Sequence, residues 1–161
     1  MSQREGLILI GIVIGCFLLG ILASVLYPYL KKGLQTIPAQ AITLNADPTC
    51  NPVGAACVAS DATMTITLEL ADRLQPLTLF PVRVHLTGAG ASQVKEVAVS
   101  FAMLNMDMGF NRFELQQQVD MAWQGQALLP VCSMGRRDWR VTVEAVSEPP
   151  YVGEFHLLTG F

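Results

Sequence analysis

The sequence predicts an all-β domain, an antiparallel sandwich, carried behind a single transmembrane helix. Three observations predict it. An apolar run fills 7–30, with no charged residue from Gly6 to Tyr29. Beyond residue 62, apolar and polar side chains alternate with a period of two through about seven short stretches. Between those stretches no amphipathic helical pattern occurs. A length of 161 residues has room for one domain plus an anchor.

The anchor comes first. A helix over 7–30 would be roughly 36 Å long at about 1.5 Å per residue, enough for a hydrocarbon core with some tilt. Arg4 and Glu5 precede it and Lys31 and Lys32 follow it. Tyr27 and Tyr29 fall where interfacial aromatics are expected, and Pro28 marks the helix end. Gly11-Ile-Val-Ile-Gly15 is a GxxxG spacing, which permits close helix approach. The chain is thus read as a short cytoplasmic segment 1–6, a helix 7–30 in the lipid bilayer, a linker with a cysteine loop 31–62, and a sandwich 63–161. The alternative is cleavage before Cys16, because Val13-Ile14-Gly15-Cys16 fits the last four positions of a bacterial lipoprotein box. Cleavable cores are compact and end in a polar region, and this one stays apolar to residue 30.

The linker holds Pro38 and little periodicity, and then Cys50 and Cys57 bracket the turn-rich Asn51-Pro52-Val53-Gly54. A loop of that kind can bring the two sulfurs together, and a bridge would place the body in an oxidising compartment. Lys31 and Lys32 point the other way, since the positive-inside rule puts the side that carries them in the cytoplasm. The cysteines and the β-rich body outweigh two lysines. The expected location is the bacterial inner membrane, single-pass, with the C-terminal body in the periplasm.

The alternations then run in order. Met64, Ile66, Leu68 and Leu70 interleave with Thr65, Thr67 and Glu69. Val82, Val84 and Leu86 interleave with Arg83 and His85, and Val97, Val99, Phe101 and Met103 with Ala98, Ser100 and Ala102. Phe113 and Leu115 alternate with Arg112, Glu114 and Gln116. A weaker strand covers Gly125–Val131, Trp139–Ala145 gives the clearest one, and the last runs around Glu154–Leu158. Gly88-Ala-Gly90 and Pro149-Pro150 supply turns. Seven short strands in this length fit an immunoglobulin-like antiparallel β-sandwich.

Chemistry-bearing residues gather in two segments, Met103-Leu-Asn-Met106-Asp-Met108-Gly109 and Pro130-Val-Cys132-Ser-Met134-Gly135-Arg136-Arg137. Met103 shares strand parity with Val97, Val99 and Phe101 and is read as core. Met106 and Met108 are two apart and project together in an extended chain, as do Cys132 and Met134. Two such pairs at neighbouring strand ends would offer thioethers and a thiolate to one ion, and soft ligands select Cu(I). Zinc normally takes histidine or more cysteines. His85 and His156 are the two histidines, each in a strand alternation and read as surface residues, with His85 a possible extra ligand. Arg136 and Arg137 would favour the Cys132 thiolate, or would form a solvated turn or an ion pair with Asp138. The alternative for Cys132 is a buried, hydrophobe-like cysteine, and for the methionines adaptable packing.

A net charge of −3 without a basic cluster argues against nucleic acid. No nucleophile–histidine spacing, HExxH or phosphate loop occurs, so an enzyme is not expected.

The order of Met106-Asp-Met108, Trp123-Gln-Gly125-Gln-Ala127, Leu129-Pro130-Val-Cys132-Ser-Met134-Gly135 and Trp139-Arg-Val141-Thr-Val143 resembles the YtkA-like and FixH-like group of small membrane-anchored domains. That resemblance covers roughly Thr63–Val146 together with the anchor. It implies copper handling and assembly of haem–copper cytochrome oxidases, with Met106, Met108 and Met134 in the group's methionine positions. Cys132 and the Cys50–Cys57 pair depart from that pattern. The expected function is a membrane-anchored accessory protein that binds Cu(I) through Met106, Met108, Cys132 and Met134. Its partners would be a respiratory oxidase or that enzyme's assembly factors. The competing expectation is a metal-free structural subunit that clamps a partner through Met106, Met108, Phe110 and Phe113, with Gly11 and Gly15 in helix packing.

Overall fold

The computed structural model describes residues 15–17, 19–22, 24, 40–103, 111–131 and 135–160. The chain divides into two units, Met1–Ile37 and Pro38–Phe161. In the first, residues 15–17, 19–22 and 24 are helical, and Phe17, Leu19, Ile21 and Leu22 are exposed. Most of the expected 7–30 span, including Gly11, lies outside the described residues. Among the described residues no helix is long and apolar enough to cross a membrane.

The second unit is all-β. Its described residues form nine strands: β1 Ile42–Ala46, β2 Cys57–Ser60, β3 Thr65–Leu70, β4 Leu79–Thr87, β5 Glu96–Met103, β6 Arg112–Gln117, β7 Ala122–Leu128, β8 Asp138–Val146 and β9 Tyr151–Leu158. The seven strands β3 to β9 follow the alternations in the sequence. Every inward position of β4 is buried and every outward one exposed, from Leu79 to Thr87. One apolar core results, with Trp139, Phe101, Phe155 and Met64 among its largest fully buried side chains. Met103 belongs to that core, 1% exposed, as its parity requires.

The strands close into a barrel in the order β1-β2-β3-β4-β7-β6-β5-β8-β9, which corrects the expected open, wholly antiparallel sandwich. Closure follows from two strands that each serve two sheets. Ile42, Thr43 and Leu44 pair parallel with Tyr151, Val152 and Gly153 of β9, while Asn45 and Ala46 pair antiparallel with Ser60 and Ala59 of β2. Similarly, β6 pairs with β5 from Arg112 to Leu115 and with β7 at Gln116 and Gln117. A barrel leaves no strand edge open to another chain.

Both β1 and β2 lie inside the 31–62 stretch whose periodicity suggested only a linker and a cysteine loop. Strand β1 is only five residues long. The inward side chains of β2 are the small residues Cys57 and Ala59, both 0% exposed, so no run of large apolar residues marks it. Smallness is required there. A Cβ on Gly153 of β9 would stand 3.2 Å from the Ala59 Cβ.

The Cys50–Cys57 disulfide is formed, with Cα atoms 5.8 Å apart. It fixes a loop that completes the wall above the short β1. The Asn51 side chain donates to the Leu158 carbonyl at 3.0 Å, the Leu70 amide donates to the Pro52 carbonyl at 2.9 Å, and Val53 bridges Leu70 in parallel. At the other end, Asp61 caps the β2–β3 turn by accepting from the Thr63 and Met64 amides, each at 2.7 Å. The Thr63 amide first, and the Met64 amide next, hold the Asp61 carboxyl below the usual carboxylate range. Gly88 closes the neighbouring turn with φ +104°, where a Cβ would lie 2.4 Å from the Thr63 carbonyl oxygen.

Two outcomes follow for stability. Replacing both Cys50 and Cys57 by Ala should lower the unfolding free energy by about 2–3 kcal/mol in denaturant titration, the loop-closure value for a bridge of this short span. The depressed Asp61 carboxyl stabilises the fold above the unfolded carboxylate range, and that contribution is lost as pH falls through its folded value. Asp61→Asn should therefore be less stable than wild type at pH 7, with the gap closing from about pH 4 downward. A gap that does not change with pH would contradict the capping role.

Candidate functional site

Strand register defines two ends of the barrel. At one end lie Met103 of β5, Asp138 of β8, Leu158 of β9, Leu70 of β3, Leu79 of β4 and Leu128 of β7. At the other lie Ile42 and Tyr151, where the Ile42 amide donates to the Pro150 carbonyl at 2.8 Å. Strand β1 therefore begins at the end opposite Met103.

The four expected copper ligands, Met106, Met108, Cys132 and Met134, lie outside the described residues, as does Phe110. The residues that flank them are described, and all belong to the Met103 end. Met103 is in register with Trp139, three residues before Met106 and five residues after Met134 respectively. The first segment returns at Asn111, whose carbonyl accepts from the Phe101 amide at 3.1 Å and whose side-chain amide donates to the Phe101 carbonyl at 3.3 Å. The second segment follows Leu129, fully buried, whose carbonyl accepts from the Leu77 amide at 2.9 Å. It rejoins the barrel at Gly135, with φ +65°, and then at Arg137, whose carbonyl accepts from the Thr159 amide at 3.1 Å. Both ends of each segment are thus fixed by backbone hydrogen bonds.

Arg136 is engaged with Asp138. Its Nε donates to Oδ1 at 3.0 Å and its terminal nitrogen to the other oxygen, so the guanidinium holds the Asp138 carboxyl below its ordinary range. This is the ion-pair alternative for that arginine, and it spends much of the Arg136 charge on Asp138. Trp139 lies inward at the same level, 1% exposed, and its indole N–H has no hydrogen-bond partner among the described residues. Exposed apolar side chains rim this end on the other sheet, namely Leu77, Leu79 and Val131.

The remaining expected residues separate from this end or from one another. Phe113 is partly buried against the core and meets Phe101 edge-on, with ring centroids 6.1 Å apart. His85 is exposed on β4 opposite Ala122, near the far end, in a groove of about 150 Å³ with Thr67, Glu69, Arg83 and Gln124. It is not grouped with the sulfur-bearing segments. His156 is exposed on β9 opposite Arg140. Gly15 is helical and exposed, with open space where a Cβ would stand. Among the described residues no group of three or more His, Cys, Asp or Glu side chains is arranged to hold a metal ion.

One feature was not anticipated from the sequence. On the outer face, Ala98 of β5 lies between Glu114 of β6 and Glu144 of β8 in register. Its small side chain leaves room for Arg112, which reaches Glu96 at 3.0 Å, Glu144 at 3.2 Å and Glu114 at 3.6 Å. The Arg112 side chain is only 8% exposed, so it is a partly desolvated cation held by three carboxylates. The signal was available as a charged residue at an outward position between acidic neighbours, but the strand pairing had to be known to read it.

No protein-family model matches the chain. No curated protein matches it either. Among solved structures, a conjugative transposon lipoprotein from Bacteroides eggerthii DSM 20697 is 14% identical over 60% of this chain and 98% of its own, with a TM-score of 0.35.

Arg112→Leu should lower stability by about 1–3 kcal/mol in denaturant unfolding, because it leaves three neighbouring carboxylates without their shared cation. Arg83→Leu, which breaks a half-exposed pair with Glu69, should cost less than about 1 kcal/mol. Equal losses for both would contradict the special standing of Arg112.

Proposed function

We propose that this chain is a membrane-anchored accessory protein that carries Cu(I) as cargo, held by Met106, Met108, Cys132 and Met134. It delivers the ion to a respiratory haem–copper oxidase or assists that enzyme's assembly. The observation that supports this reading most is the pairing of Met103 with Trp139, since it makes the flanks of both sulfur-bearing segments neighbours at one barrel end. Three thioethers and one thiolate suit a soft monovalent ion. The likeness to YtkA-like and FixH-like domains, and with it the immunoglobulin-like description of the barrel, belongs to the same reading.

The location draws on two further observations. A disulfide persists in oxidising compartments, which favours a periplasmic barrel at a bacterial inner membrane. The described residues of the apolar N-terminal stretch are helical with exposed Phe17, Leu19 and Leu22, as a lipid-facing helix would be. The residues that flank the sulfur-bearing segments, Met103, Asn111, Val131 and Gly135, lie at the barrel end opposite Ile42, where β1 begins. Such a carrier needs no redox step: the Cys132 thiol gives its proton to solvent as its sulfur binds Cu(I), and ligand exchange between sulfur donors moves the ion.

A second reading, a metal-free clamp, draws on the exposed Leu77, Leu79 and Val131 at the same end. Anaerobic Cu(I) titration of the full chain in detergent, against a chromophoric chelator, separates the two. The carrier reading expects tight one-to-one binding that the Met106→Leu, Met108→Leu, Cys132→Ser variant loses. If wild type and variant both fail to compete with the chelator, the clamp reading replaces it.

A further inference from the structure

We propose that a cavity beside the disulfide loop binds a small zwitterion of the α-amino-acid class, with Arg73 taking its carboxylate and Asp72 its ammonium. The cavity measures about 400 Å³ and opens between the disulfide loop, the β3–β4 connection and the segment after β9. It belongs to the Met103 end, since Val53 bridges Leu70 and Thr159 follows Leu158. Its size suits a small molecule, because ligand pockets begin at roughly 300 Å³. Val53 and the buried Leu74 give it an apolar wall, and Asp72, Arg73 and Gln75 give it polar groups. None of the residues that line it belongs to the sulfur-bearing segments, so the site is independent of the copper reading.

The two charges that line this cavity stand apart from the others on the barrel. Arg83 is paired with Glu69, Arg112 with three carboxylates, Arg136 with Asp138 and Arg140 with Glu154. Arg73 and Asp72, by contrast, have no hydrogen bond or ion pair among the described residues, and although adjacent they do not pair with each other. Arg137 also lacks a carboxylate partner among the described residues, but it does not line the cavity. The walls are held by backbone hydrogen bonds. The Leu70 amide donates to the Pro52 carbonyl, the Thr78 amide to the Gln75 carbonyl, and the Thr159 amide and hydroxyl both donate to the Arg137 carbonyl. Asp72 Oδ1 lies against Gly54 of the disulfide loop, where a Cβ would stand 3.2 Å away.

These features select the ligand chemistry. A guanidinium takes a carboxylate through two parallel N–H donors, and a carboxylate accepts from an ammonium. An anion alone would meet the Asp72 charge, and a cation alone would meet that of Arg73. A molecule with both charges avoids each repulsion, so the pair discriminates against singly charged analogues. Val53 and Leu74 favour a ligand with a branched apolar side chain. Asp72 and Arg73 are both exposed, so binding weakens as salt rises.

The test is an NMR titration of the 15N-labelled full chain in detergent at low salt, with L-leucine as the probe. Isovalerate, which lacks the ammonium, and isoamylamine, which lacks the carboxylate, serve as analogues. Leucine is expected to shift the Val53, Leu74 and Thr159 amides saturably, and to bind about tenfold more tightly than either analogue. Asp72→Asn should erase the preference for leucine over isovalerate, and Arg73→Gln the preference over isoamylamine. Both side chains are exposed and without partners among the described residues, so each variant should keep the folded amide spectrum. No saturable shift up to the solubility of leucine, shifts away from the cavity, or equal leucine affinity in wild type and both variants overturns the site. Equal affinity of the wild type for leucine and either analogue overturns the zwitterion assignment.

Discussion

Closure of the strand ladder is the constraint on which the rest of this domain depends. A sheet of nine short strands has two edges unless its first and last strands meet, and here they meet through the parallel pairing of β1 with β9. That pairing is short, and β1 ends at Ala46, so the wall above it has to be made by something else. The loop tied by Cys50 and Cys57 fills that place, with Asn51 bonded to Leu158 and Pro52 to Leu70. The disulfide is therefore part of the barrel seam. The small residues Ala59 and Gly153 allow the seam strands to approach.

Closure also sorts the connections into two sets. The β1–β2, β3–β4, β5–β6 and β7–β8 connections gather at the Met103 end, and the turns at Asp61, Gly88, Asp120 and Pro149 gather at the other. Sulfur donors far apart in sequence, such as Met106 and Cys132, become candidates for one site because the described flanks of their segments lie on adjacent strands. The outer face carries a different burden. Arg112 and its three carboxylates hold β5, β6 and β8 together from outside.

Much of this was legible in the sequence, for identifiable physical reasons. Period-two alternation marked β3 to β9 because each buries one face against a single core, and it placed Met103 inside. The disulfide was legible because its cysteines bracket a tight turn. Strand β2 escaped notice because the small Cys57 and Ala59 fill its inward positions, and β1 because it is only five residues long and half of it pairs with each sheet. Barrel closure was not legible, since nothing local in Ile42–Leu44 reports a parallel partner more than a hundred residues away. Residue softness and two-residue spacing singled out Met106, Met108, Cys132 and Met134, which lie outside the described residues. The Trp139 indole, without a partner among the described residues, emerged only once burial and register were known. His85, kept in reserve as a ligand, belongs to a groove toward the far end.

In the proposed function, sulfur from two separated segments surrounds one monovalent copper ion. X-ray absorption at the copper edge, recorded on the full chain loaded anaerobically with one equivalent, reads that coordination shell. The prediction is a Cu(I) edge with a first shell made of sulfur, reduced in sulfur count by Cys132→Ser or by Met106→Leu with Met108→Leu. A first shell dominated by nitrogen or oxygen, or one that neither substitution changes, would contradict it.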